Sequence, residues 1–124
     1  MTIIEAINRI DSLIFNTYTQ VDKIAWLSQL DSMVMRQIVD NHDGAEDISF
    51  CGYTAETPLE TVLLVQAPYD EMYLKWLEAQ IHYHNGEYDK YNNAVIMYNT
   101  LFENYAAYYN RIHKPVQRGR RFLF

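Results

Sequence analysis

From Glu87 to His113 one helical apolar pattern persists, with no glycine or proline inside it, so a single long helix is expected there. Within it Tyr91, Tyr98, Tyr105 and Ile112 fall seven apart. Ala94, Leu101 and Tyr108 each follow three positions behind the first three, and Val95, Phe102 and Tyr109 form a third row. Repeats of seven with a second row three along are the signature of a helical seam packed against another helix. At about 1.5 Å per residue such a helix spans roughly 40 Å, more than the ~35 Å diameter of a compact sphere of this chain length. An elongated bundle is therefore expected.

The rest of the chain supplies the partners. Thr2-Ile3-Ile4-Glu5 has the spacing of a capping box, and Ile3, Ala6, Ile7, Ile10, Leu13 and Ile14 then recur at three and four, until the pattern breaks near Phe15-Asn16-Thr17. A second start at Thr19 leads into Ile24, Leu27, Leu30, Val34 and Ile38, widened by Trp26, Met33 and Met35, and this helix is expected to reach about Asp40. Helical pattern resumes with Pro68 at a first helical position and Asp70 and Glu71 in the first turn. The stripe Tyr69, Met72, Tyr73, Trp76, Leu77, Gln80, Ile81 and His84 ends at Asn85-Gly86, a pair suited to a left-handed stop and a reversal. The long helix then returns antiparallel, and Pro115 closes it.

The expected fold is all-α: an elongated antiparallel bundle of about four helices over residues 1–115, with an extended basic tail at 116–124. Between the second and third helices, residues 40–60 form a long loop. Asp40 to Asp47 is polar and acidic, and Ser49 to Pro58 mixes Phe50, Gly52 and Tyr53 without helical spacing, so this loop holds either a short strand near Ile48–Tyr53 or a functional projection.

The 124 residues suffice for one core, and an apolar content of 49% with 4 Gly and 3 Pro excludes a disordered or collagen-like chain. One cysteine, Cys51, cannot form an internal disulfide, which fits either a reducing compartment or a protein with no need of staples. The opening residues show no cationic segment before a long apolar run, so neither secretion nor a membrane span is expected.

Charge is segregated. Residues 1–110 carry all 16 acidic side chains and only five basic ones, whereas Arg111, Lys114, Arg118, Arg120 and Arg121 lie in the last fourteen residues with no acidic neighbour. The net −6 argues against general nucleic-acid binding, and the asymmetry marks an interaction protein whose tail seeks an acidic partner. That tail ends in Phe122-Leu123-Phe124. It is either a solvated terminus or a docking arm, in which the apolar groups would each gain about 1.5–3 kcal/mol from a groove.

Signals for chemistry are sparse. His82 and His84 with Glu78 suggest a metal, but residues two apart on a helix point away from each other. The loop around His42 lacks calcium-loop spacing. Cys51 has no orienting partner in sequence and reads as a small core residue. No phosphate cradle or hydrolase signature occurs. No enzyme, metal or cofactor is expected. The tyrosines, 11 in all, are the exception, since each buries a ring while its hydroxyl still needs water or a partner. Tyr88, Tyr91, Tyr98, Tyr105 and Tyr109 serve either a core with wet edges or a subunit interface.

Trp26-Leu27-Ser28-Gln29-Leu30-Asp31, Leu63 to Asp70, Tyr91-Asn92-Asn93 and Tyr109-Asn110-Arg111-Ile112-His113-Lys114-Pro115 together resemble the head-to-tail connector, or head-completion adaptor, family of tailed phages and prophages of Gram-positive bacteria. The resemblance implies a virion protein assembled in the bacterial cytoplasm. It would form a homo-oligomeric ring of about twelve copies beneath the portal, contacting portal and tail-side connector proteins, with DNA only as passing cargo. It also implies a docking role for Arg118, Arg120, Arg121, Phe122 and Phe124. The other expectation from the residues is a small helical interaction or regulatory module of a prophage or plasmid.

Overall fold

The computed structural model describes residues 1–42, 44, 45, 48 and 50–113. Among the described residues the architecture is four α-helices, α1 (Ile3–Leu13), α2 (Gln20–Gln37), α3 (Glu71–His84) and α4 (Tyr88–Ile112), with a 3-10 turn at Val39–Asn41 after α2. The all-α bundle of about four helices is thus the fold. Helix α3 is its hub, packing on α1, α2 and α4, whereas α4 packs on α3 alone among the helices.

Local chemistry fixes the ends. Thr2 and Glu5 form the capping box that opens α1, and Thr19 with Asp22 repeats it at α2, each side chain satisfying an amide that the helix leaves free. The capping bond from the Thr2 backbone also holds the Glu5 carboxyl below its ordinary range. Two more free amides of α1 find carbonyls far along the chain, Ile3 N–H at Thr61 (3.0 Å) and Ile4 N–H at Leu59 (3.0 Å). Leu63 N–H donates in turn to the Met1 carbonyl (2.9 Å), and Thr2 and Val62 form an isolated antiparallel bridge. The chain from the later part of the expected loop to just beyond it, residues 53–65, is therefore a strap, of which residues 59–63 lie along the start of α1. Leu63 and Val65 are buried while Val62 is exposed, the alternation of an extended segment.

Several expectations change. Among the described residues no strand forms near Ile48–Tyr53, because the amides there are taken up elsewhere: Tyr53 N–H donates to the Ser28 hydroxyl and Ile48 N–H to the Ala45 carbonyl. Pro68 does not open α3. The Ala67–Pro68 peptide is cis, and the helix begins at Glu71, behind turns closed by Tyr69 N–H to Gln66 O and Met72 N–H to Tyr69 O. Helix α2 stops at Gln37, and its last turn tightens into the 3-10 segment instead of continuing. Ile112, the last of the sevenfold row, is exposed, since a strict period of seven drifts by about 20° per repeat around a straight helix. Cys51 is exposed and free, so it is not a core residue. The closure at Pro115 and the tail 116–124 lie outside the described residues.

Candidate interaction surface

Three of the five tyrosines assigned to a subunit interface are not on the surface. Tyr98, Tyr105 and Tyr109 are buried with Ala94 along the face of α4 that meets α3. Tyr98 packs its ring on Trp76 at 5.1 Å, and Tyr105 on Tyr69 at 5.7 Å. The seven-residue spacing described the helix's attachment to its own bundle, and burial holds the Tyr98 hydroxyl above its ordinary ionisation range. Tyr88 is exposed and Tyr91 half-buried. Both rings lie against Tyr83 of α3, at 5.9 Å and 5.2 Å.

The turn beneath these rings is tightly tied. Gly86 takes φ of 79°, a left-handed conformation in which a side chain would be strained. Glu87 N–H donates to the His82 carbonyl (2.9 Å). The Glu87 carboxylate meets His82 Nδ1 at 2.9 Å and accepts from Asn85 at 3.2 Å, bonds that hold its carboxyl below the ordinary range. The Tyr18 hydroxyl reaches across to Asn85 Oδ1 at 2.6 Å. His82 is thus a buried histidine bound to a carboxylate, and His84, exposed, stacks on Trp26 at 5.3 Å. The two do not share a site, and among the described residues no three His, Cys, Asp or Glu side chains converge as a metal ion would require.

From this turn the outer face of α4 meets no other helix among the described residues. Between Tyr91 and Phe102 the sequence holds no charged residue, yet half of that stretch is exposed, with Ile96 at 64% and Met97 at 50%. Ile96 lies opposite the buried row, flanked by Asn92, Asn93, Asn99 and Thr100. A second apolar patch sits at the corner between α1 and α2, where Leu13, Val21 and above all Phe15, 91% exposed, face solvent. Apolar groups on the charge-free stretch of α4 have the composition of an interface core, whereas the α1–α2 corner sets its apolar groups beside exposed Asp22 and the Lys23–Asp11 ion pair. The two patches differ in sequence and in place.

The sequence reading missed the most constrained group in the molecule. Asp31 is fully buried (0% exposed) and accepts three hydrogen bonds: Tyr73 Oη at 2.6 Å on one oxygen, and Tyr53 Oη at 2.5 Å with Leu64 N–H at 3.1 Å on the other. The Tyr73 hydroxyl accepts in turn from Val65 N–H at 2.7 Å. One carboxylate therefore staples the strap, at Tyr53, Leu64 and Val65, to α2 and α3. A signal was present, since Asp31 falls four after Leu27 and three before Val34, on the apolar stripe itself.

Burial raises the Asp31 carboxyl above its ordinary value, outweighing the lowering from Tyr53, Tyr73 and the Leu64 amide. Burial, followed by the nearby carboxylate, pushes both tyrosines upward, so they remain neutral donors. The folded chain then holds a proton on Asp31 more tightly than the unfolded chain. Its contribution is fully present below the unfolded pKa and is lost as pH rises through the folded one. In urea melts from about pH 7 down to pH 4, wild type is expected to gain stability relative to Asp31→Asn as pH falls. A difference independent of pH would contradict this.

Among the described residues no helix is long and apolar enough to cross a membrane. The docking residues Arg118, Arg120, Arg121, Phe122 and Phe124 lie outside the described residues. No family model matches the chain, and neither curated proteins nor solved structures give a match.

Proposed function

We propose that the chain is a structural subunit of a tailed phage or prophage virion, a head-to-tail connector that closes into a ring of about twelve copies beneath the portal. The observation that carries this reading is the uncharged outer face of α4 between Tyr91 and Phe102, which meets no other helix among the described residues, paired with a different apolar patch at the α1–α2 corner. A surface that binds a non-identical surface on the next copy gives a heterologous contact, and repetition of such a contact closes a ring when the rotation between copies divides a full turn. Tyr88 is exposed at the turn from which that face starts, where an aromatic ring with a polar tip suits the rim of an interface, whereas Tyr91 lies half-buried against Tyr83 of α3. The rigid α3–α4 turn presents that face without conformational cost.

Charge supports the same reading. An acidic body lining a channel repels DNA phosphates and lets the duplex slide, whereas a basic lining would grip it. The basic tail, with Phe122-Leu123-Phe124 behind its arginines, is the arm that reaches the portal or a tail-side protein. The cations set register, and the apolar groups slow dissociation. Deleting Val116 to Phe124 is expected to leave the circular dichroism spectrum and melting temperature unchanged while abolishing attachment to the portal in a sedimentation assay. Loss of folding would mean that the tail belongs to the core, and unaltered attachment would remove its docking role.

A further inference from the structure

At the end of α4 remote from the α3–α4 turn, a cavity of about 200 Å3 lies between the last helical turn and the strap, lined among the described residues by Leu64, Gln66, Tyr105, Tyr109 and His113 with two aliphatic neighbours. Tyr109 is only 5% exposed. Among the described residues its buried hydroxyl has no hydrogen-bond partner, and neither has the buried Nδ1 of His113. The two rings stack with centroids 3.9 Å apart and 11° between planes. His42, buried and held at the Ile38 carbonyl and the Asn110 side chain, meets the Tyr109 ring edge-on at 4.9 Å. Buried polar atoms almost always find partners. Two such atoms lie on the lining of one cavity, with their rings fixed in place.

The surroundings give the sign of a ligand held there. The cavity adjoins the C-terminal end of a long helix, where the last carbonyls lack intrahelical partners and the dipole is negative. The Asp31 carboxylate lies near enough to act on Tyr105: burial first, then Tyr109 and Asp31, hold the Tyr105 hydroxyl above its ordinary range. No Lys or Arg is among the described lining residues. Arg111 instead lies over the Tyr108 ring at 6.0 Å. The Tyr109 hydroxyl, the Gln66 carbonyl oxygen and a neutral His113 Nδ1 can all accept hydrogen bonds, and tyrosine faces attract cations.

We infer that this cavity binds an organic cation, a guanidinium or primary ammonium on a short aliphatic stem, with its N–H groups donating to Tyr109 and His113 and its stem against Leu64 and the Tyr105 ring. The volume suffices, since a cavity of about 150 Å3 already holds benzene. The inference does not depend on ring formation. The cation has two sources, a free small molecule or an arginine of the Lys114–Arg121 run in this or a second copy.

The test is an NMR titration of the full chain with n-propylguanidinium, n-butanol and butyrate, following the aromatic signals of Tyr109 and His113, in wild type and in an R118Q/R120Q/R121Q variant. Saturable binding of propylguanidinium, at least tenfold tighter than butanol and with no response to butyrate, is expected in one or both proteins. Binding to wild type identifies a free ligand, and binding only to the triple variant identifies a tail arginine as the occupant. Tyr109→Phe, which removes an unpartnered hydroxyl and keeps the ring, should weaken binding about tenfold, and the exposed substitution Gln66→Leu should weaken it in the same direction. No saturable shift in either protein, as for a cavity holding only water, would overturn the inference. Equal binding of butanol, or unchanged binding by Tyr109→Phe, would do so as well.

Discussion

Alanine in place of Asp31 is expected to cost about 3–5 kcal/mol of folding stability at neutral pH, with a correspondingly lowered urea midpoint. Three donors, the buried hydroxyl of Tyr73 and the half-buried Tyr53 hydroxyl and Leu64 amide, lose their acceptor. Each stranded donor costs about 1–3 kcal/mol, and the sum is reduced by the relief of no longer burying a charge. Asparagine retains one acceptor oxygen and should fall between alanine and wild type. Because the carboxylate joins the strap to α2 and α3, the strap amides from Tyr53 to Val65 should lose protection from hydrogen exchange first. An alanine variant within about 1 kcal/mol of wild type would show that the strap is held by Leu63 and Val65 burial alone.

Glutamate at Phe15 or at Ile96 is expected to leave the monomer folded and to disable assembly. Both side chains are exposed, at 91% and 64%, and surface substitutions of this kind change stability by about 0.5 kcal/mol or less. A charge placed at the centre of an apolar contact acts on association instead. Loss of a central anchor costs at least about 2 kcal/mol per contact, which is about thirtyfold in affinity. A ring repeats every contact, so the defect is compounded at closure.

Much of the fold was legible because its signals are local. The capping boxes at Thr2 and Thr19, the Asn85-Gly86 stop and the uninterrupted run to His113 each depend on residues a few positions apart, and each stands in the structure. The strap was not legible, because what holds it is distant in sequence: Thr61 to Ile3, Tyr53 to Asp31, Leu63 to Met1. The tyrosine rows show the limit most plainly. Spacing of seven marks the face of α4 that is covered but not what covers it, and Tyr98, Tyr105 and Tyr109 meet their own bundle. The exposed face was written in the same stretch as an absence of charge between Tyr91 and Phe102, a weaker signal than a row of large rings. Asp31 was visible as a carboxylate on an apolar stripe, but its three partners came from segments with no common spacing.

The claim that two different surfaces join successive copies is tested most directly by mixing Phe15→Glu with Ile96→Glu and measuring mass by sedimentation, with portal present as a template if the free chain does not assemble. Each variant alone should stay monomeric. Because one retains the α4 face and the other retains the α1–α2 corner, the mixture should form pairs and stop there, while wild type proceeds to a closed ring. A mixture that remains monomeric, or either variant pairing with itself as readily as wild type assembles, would contradict the account.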